Sequence, residues 1–254
     1  MTPAALTPEA YSYTLTLGGR FAGTQDWVVR PDKGTLVVRV QTDFSGALPA
    51  GRTVQESRIQ PETGFSLAYA EAEGSSRKPH FETVFDEQSG VVTLRQGKDE
   101  ATQPLLEDHH DPLSLLLWLR WASLTRDLQS PEDTSLNGSP DDFSAAPTEA
   151  RMITARMVGG RVHLQPLPDS EVLGLAARVY FLRPGGAYVY VEQDAPHRLL
   201  RLIQPSDFGP VEALMSLDRS TADRQPPDRE VVRANQSGHA RVRGQVGKPR
   251  RRSK

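Results

Sequence analysis

Cysteine is absent from the 254 residues, so disulfides, thiolate metal sites and a cysteine nucleophile are excluded and the redox compartment stays open. Long apolar runs are missing too. None reaches the roughly 20 residues that span a bilayer, and the most apolar one, residues 113–121, is interrupted by Arg120. The first nine residues have neither the basic nor the apolar region of a signal peptide. As written, the chain is therefore expected in the cytoplasm, or in the cell envelope if a signal has been removed. No serine lies in a Gly-x-Ser-x-Gly elbow. None of the glycine pairs Gly18-Gly19, Gly159-Gly160 and Gly185-Gly186 is followed by Gly-Lys-Ser/Thr, so they are turns and not phosphate loops. Hydrophobic residues make up only 37% of the chain, and two polar segments account for part of that deficit.

The net charge of −2 hides an asymmetry. From Asn235 onward the chain holds Arg241, Arg243, Lys248, Arg250, Arg251, Arg252 and Lys254 and no acidic residue, a charge of +7 that leaves −9 on the rest. Seven cations on one segment attract phosphate, in nucleic acid or anionic lipid. No aromatic residue interleaves them, so base stacking is not on offer.

What remains is strongly patterned. Tyr11, Tyr13, Leu15 and Leu17 alternate with Ser12, Thr14 and Thr16, as in a half-buried strand. Further strands are expected at 24–30, 35–42, 53–60, 65–72, 80–86 and 91–96, separated by glycine- or proline-bearing turns. After a gap the pattern resumes at 152–158, 161–167, 175–182, 187–193 and 197–204, and a short apolar segment at 211–217 reads as a closing helical turn. Between the two sets lies the run Asp111-Pro112-Leu113-Ser114-Leu115-Leu116-Leu117-Trp118-Leu119-Arg120-Trp121. Asp111 is a capping residue and Pro112 suits the first helical position, so a helix is expected over about 112–125. Its apolar residues occupy nearly every side of the helical wheel, which one shallow face cannot bury. The expected fold is therefore mainly β, an antiparallel open barrel or strongly curled sheet of about ten or more strands wrapped around one central apolar helix. Residues 1–9 are expected to be flexible, 10–217 to form a single domain with a mobile loop at about 126–150, and 218–254 to form a disordered basic tail.

The run Tyr11-x-Tyr13-x-Leu15 with Gly18-Gly19 and Gly23, the repeated hairpins, and the Asp111-Pro112-Leu113-Ser114-Leu115-Leu116 stretch together resemble a family of uncharacterised bacterial β-rich proteins. The resemblance implies an open barrel with a helix across its mouth or in its lumen, similar in shape to lipoprotein carriers of the bacterial envelope. It spans residues 10–205 in organisation, and its specific part is the Asp-Pro-Leu-Ser-Leu-Leu stretch. Members of the family are usually exported and lack such a basic tail, and the family has no agreed activity.

No catalytic constellation stands out. Glu107-Asp108-His109-His110-Asp111 is the densest group of metal-capable side chains, but neighbours on an extended segment point to opposite faces, so neither a metal site nor a cofactor is expected. Ser114 reads as part of the helix cap. The chain is therefore expected to be a non-enzymatic binding or scaffold protein that holds an apolar, lipid-like small molecule between barrel and helix. Leu117, Trp118, Trp121, Tyr13, Tyr69 and Tyr188 would line the site. The alternative is an interaction protein whose basic tail docks on nucleic acid or an acidic protein.

Overall fold

The structure is a computed structural model and describes residues 8–217, apart from 75, 77, 107, 108 and 128–151. The side chains at 122–127 are likewise outside it. Among the described residues there are fifteen strands and one helix. The first set comprises β1 (Glu9–Leu17), β2 (Arg20–Asp32), β3 (Thr35–Phe44), β4 (Gly51–Ile59), β5 (Ser66–Glu73), β6 (Phe81–Asp86), β7 (Val91–Gln96), β8 (Asp99–Pro104) and the two-residue β9 (His109–His110). The helix α1 (Pro112–Asp127) follows. The second set comprises β10 (Ile153–Met157), β11 (Gly160–Val172), β12 (Leu175–Arg183), β13 (Ala187–Glu192), β14 (Leu199–Gln204) and β15 (Val211–Met215).

All fifteen strands belong to one open sheet, in the order β8-β7-β6-β5-β4-β3-β2-β1-β15-β14-β13-β12-β11-β10-β9. Each hairpin adds a strand beside the last, and the pairing of β1 with β15 joins the two meanders into a continuous surface. Every pairing is antiparallel except β9 with β10. The sheet curls around the helix without closing, and its two ends are β8 and β9. The expected mainly-β fold with a central apolar helix is what the chain forms.

Two sequence expectations are corrected. Residues 211–217 do not make a helical turn. Val211–Met215 is a strand in the middle of the sheet, paired to β1 on one side and β14 on the other. Five apolar-rich residues carry too little periodicity to separate helix from strand, and two neighbours offering ladder hydrogen bonds decide it. Glu9, expected in a flexible terminus, opens β1 opposite Val29. The expected loop at 126–150 meets the end of the helix at Asp127, and its remainder, like the tail from 218, lies outside the described residues.

The registers define one face that receives the helix. Across β1 to β5 it presents Tyr13, Gln25 and Thr42 in one row, Tyr11, Trp27, Val40, Gln55 and Glu71 in the next, and Val29, Val38, Ser57 and Tyr69 in a third. In the other half it presents Leu15, Ala213, Leu202, Val189 and Tyr180. These residues and the helix leucines form one continuous core. Leu113, Leu115, Leu116, Leu117 and Leu119 are each no more than 6% exposed, as an all-round apolar helix requires. At about 2 kcal/mol each, undocking the helix would expose roughly 10 kcal/mol of apolar burial, comparable with the whole stability of a domain. The helix is a fixed part of the core and cannot serve as a lid.

Candidate functional site

The helix is held at its start and near its middle by buried polar contacts. At its start, Asp111 Oδ1 accepts the backbone N–H groups of Leu113 at 2.8 Å and Ser114 at 3.0 Å, while the Asp111 N–H donates to Ser114 Oγ at 2.9 Å. This is a reciprocal cap in which serine takes the place usually held by glutamate. The same carboxylate reaches into the sheet, where Asp111 Oδ2 accepts the hydroxyls of Ser57 at 2.6 Å and Ser66 at 2.8 Å. Burial pushes the Asp111 carboxyl up from its ordinary range, and the four hydrogen bonds, that from Ser57 foremost, oppose the shift.

Halfway along the helix, Arg120 is buried with its guanidinium fully engaged. Nη1 donates to Glu9 Oε2 at 2.8 Å, Nε to the His197 carbonyl at 2.7 Å and Nη2 to the Pro196 carbonyl at 3.1 Å, and the group lies over the Tyr11 ring. Burial works against the charge, but the hydrogen bond and charge of Glu9 outweigh it, and the Arg120 pKa stays above its ordinary value. The turn that supplies the two carbonyls is itself braced by Arg198, whose Nε and Nη2 each meet the Glu192 carboxylate at 2.7 Å. Asp111 thus ties the helix to β4 and β5, and Arg120 ties it to β1 and the β13–β14 turn, on opposite wings of the sheet. Glu9, Ser57, Ser66 and the turns at 60–65 and 193–198 all belong to the same rim, so the helix sits toward one end of the curl.

His110, Asp111, Ser114 and Ser66 bring together residue types found in hydrolases, but the arrangement is not a triad. The His110 Nδ1 lies 3.3 Å from Ser114 Oγ, while the Asp111 carboxylate bonds to serines and backbone and not to the imidazole. The whole group is sealed from solvent, so no substrate reaches it. Burial, helped by the neighbouring His109, lowers the His110 pKa to about 4, so the ring is neutral at neutral pH and packs against Phe65 and Trp118. Among the described residues no group of three or more histidine, aspartate or glutamate side chains could hold a metal ion.

The six residues expected to line one pocket do not converge. Leu117 and Tyr13 do meet, beside Trp27, Val38 and Arg120, around a cavity of about 10 Å³. That is room for one water at most, far below the roughly 300–1,000 Å³ of a small-molecule pocket. Trp118 and Trp121 lie instead against the β4–β5 turn, where a Cβ on Gly64 would come within 2.8 Å of the Trp121 ring. Tyr188 is a correction: it faces outward, 36% exposed, with its ring 4.8 Å from Phe181 on the opposite side of the sheet from the helix. The alternation Tyr188, Val189, Tyr190, Val191 puts the valines and not the tyrosines inside. The seven cations of the tail lie outside the described residues.

Tyr69 belongs to a second group, whose members come from neighbouring strands and meet only through the sheet registers. Its hydroxyl donates to Glu71 Oε2 at 3.0 Å, and Gln55 Nε2 donates to the Tyr69 oxygen at 2.9 Å and to Glu71 at 3.3 Å. Phe81 packs edge-on to its ring, and His80 Nε2 lies 3.6 Å from Glu71 Oε1. Burial, then the Glu71 charge, pushes the Tyr69 phenol well above its ordinary pKa. On the neighbouring strands Trp27 Nε1 donates to Gln25 Oε1 at 2.8 Å and Gln25 Nε2 to Thr42 Oγ1 at 2.9 Å. Gln25, Gln55, Glu71, Phe44 and Phe81 are half-buried, all on the helix-facing side but toward the rim away from the helix. Across the curl, Leu17, Leu182 and Val211 are half-buried near the same rim and entirely apolar. One wing of this inner surface is hydrogen-bonding and the other is greasy.

Residues 12–137 match the model of DUF3108, a family described as a protein of unknown function. The matched segment runs from β1 through the helix. No curated protein matches the chain. Among solved structures the chain is similar to a beta-barrel-like protein of the domain of unknown function DUF1849 from Brucella abortus. The two share 10% identity and a TM-score of 0.48 over 83% of this chain and 96% of that one. Among the described residues no helix is long and apolar enough to cross a membrane.

Proposed function

We propose that this chain is a non-enzymatic binding protein that holds an amphiphilic, lipid-like molecule on the inner face of its curled sheet, toward the rim opposite the helix. The observation that carries this reading is the division of that face. Leu17, Leu182 and Val211 offer half-buried apolar surface to an acyl chain. The Gln55–Tyr69–Glu71 group offers hydrogen-bonding atoms to a head group. The seam between Leu117 and the sheet is too tightly filled for a ligand, so the helix acts as a fixed wall. The carboxylate of Glu71 favours head groups that donate hydrogen bonds or carry positive charge, and it repels a carboxylate.

The test is native mass spectrometry of the purified chain mixed with a monoacylglycerol or with the fatty acid of equal chain length. The monoacylglycerol is expected to bind with several-fold preference, and Glu71→Gln to remove the preference without unfolding the protein. Absence of any adduct with either probe would overturn the reading and leave a scaffold without a small-molecule ligand.

A second reading rests on charge alone: a segment of +7 attached to a body of −9 is suited to an anionic partner. Truncation after Ser237 would then abolish binding of a short DNA duplex in a salt titration. Equal binding by the truncated chain would dispose of this reading.

A further inference from the structure

The open sheet leaves an edge. Among the described residues β8 pairs only with β7, and five of its six residues are exposed. Its free side presents a row of unpaired backbone N–H and C=O groups, the standard template for one more strand. The other end of the sheet, β9, is two buried residues long and offers no comparable ladder. Part of the body's acidity lies at the same place. Residues 81–104 carry five carboxylates against Arg95 and Lys98, a net −3. Asp99 and Glu100 lie on the edge strand itself.

The chain carries a segment suited to that edge. Arg241-Val242-Arg243-Gly244-Gln245-Val246 alternates with the period of a strand, and Lys248, Arg250, Arg251, Arg252 and Lys254 follow it. It is within reach. β15, the last described strand, stands eight strand spacings from β8 in the sheet, roughly 38 Å around the curl at about 4.8 Å each. The 24 residues from Leu217 to Arg241 extend to roughly 80 Å at about 3.3 Å per residue.

We propose that the basic C-terminal segment docks in cis on the β8 edge as an added strand, held by main-chain hydrogen bonds and by the acidic surroundings of that edge. Tethering places the segment at a millimolar effective concentration, which favours the chain's own tail over that of a second copy. In the docked state the tail cations are engaged by the body, so an anionic partner has to compete for them.

Amide hydrogen exchange in β8 tests this without any added ligand. It is measured in the full chain, in a full-length variant with Arg250→Glu, Arg251→Glu and Arg252→Glu, and in the chain truncated after Ser237. The amides of Glu100, Ala101, Thr102 and Gln103 are expected to exchange about tenfold more slowly in the full chain than in either variant. The protection should be independent of protein concentration and lost at about 1 M salt. Equal exchange in all three proteins would overturn the proposal, including the case in which only the full chain then binds DNA. Protection that grows with protein concentration would assign the edge to the tail of a second copy and overturn docking in cis.

Discussion

Asp111 accepts a hydrogen bond from Ser57, 54 residues earlier in the chain, at 2.6 Å, with the same carboxylate that caps its own helix. One side chain thereby joins a local decision, where the helix begins, to a distant one, which strands it lies against.

Replacing Asp111 by alanine removes the cap and strands the buried Ser57 and Ser66 hydroxyls. Each of these losses costs about 1–2 kcal/mol, so Asp111→Ala is expected to destabilise by about 3 kcal/mol or more in urea unfolding. Asp111→Asn keeps an acceptor and should cost about half as much. Equal losses for the two would mean that the acceptor retained by asparagine contributes nothing.

Arg120→Ala removes three donors from one buried point and leaves the Pro196 and His197 carbonyls unpaired. A loss of about 2–4 kcal/mol is expected, moderated because Glu9 is close enough to the surface to rehydrate. Arg120→Lys retains the charge but cannot serve three acceptors in a plane, so it should recover less than half of that loss. Denaturant midpoints of the three proteins decide the matter.

Gly64 adopts φ of +77° beside the Trp121 ring. Gly64→Ala meets both a backbone penalty and a steric one. It is expected to cost about 2 kcal/mol and to shift the tryptophan emission, since Trp118 and Trp121 must move. Gly74→Ala, also at positive φ but with nothing within 4 Å of the added carbon, isolates the backbone share.

His110 gives the fold a pH dependence. The unfolded chain takes up this proton near pH 6.5, while the folded chain resists it until about pH 4. The contribution is complete above about 6.5 and is lost as pH falls toward 4, up to on the order of 3 kcal/mol. Asp111 acts with the opposite sign: its raised carboxyl pKa favours folding at low pH, and that contribution fades as pH rises through the folded value. The difference in thermal stability between the parent chain and His110→Asn should therefore grow as pH rises from 4 to about 6.5, which isolates the histidine from Asp111. The neighbouring Trp118, 5.2 Å from the imidazole, reports the same titration by fluorescence.

Much of this architecture is legible in the sequence. The alternation of Tyr11, Tyr13 and Leu15, the turns at Gly18-Gly19 and Pro61, and a leucine-rich run opened by Asp111-Pro112 together indicate a sheet around a helix. β8, by contrast, has no large apolar residue and among the described residues pairs only with β7, so periodicity has nothing to register. The candidate site was harder to see. Ser57, Gln55 and Glu71 share the inward parity of Ile59 and Tyr69, and polar residues on an inward face are a signal. Turning it into a site required the strand registers, which the sequence does not state. Arg120 reads as an interruption of an apolar run until Glu9 and the β13–β14 turn are placed around it. Tyr188 faces outward against expectation because β13 alternates tyrosine with valine, and aromatic size alone does not say which parity faces the helix.

Hydrogen exchange with and without a monoacylglycerol tests most directly whether the inner face, toward the rim away from the helix, is the binding surface. Slower exchange in β4, β5, β12 and β15 on adding the monoacylglycerol, with residues 113–121 unchanged, is the predicted result. Protection confined to residues 113–121, or none anywhere, would contradict it.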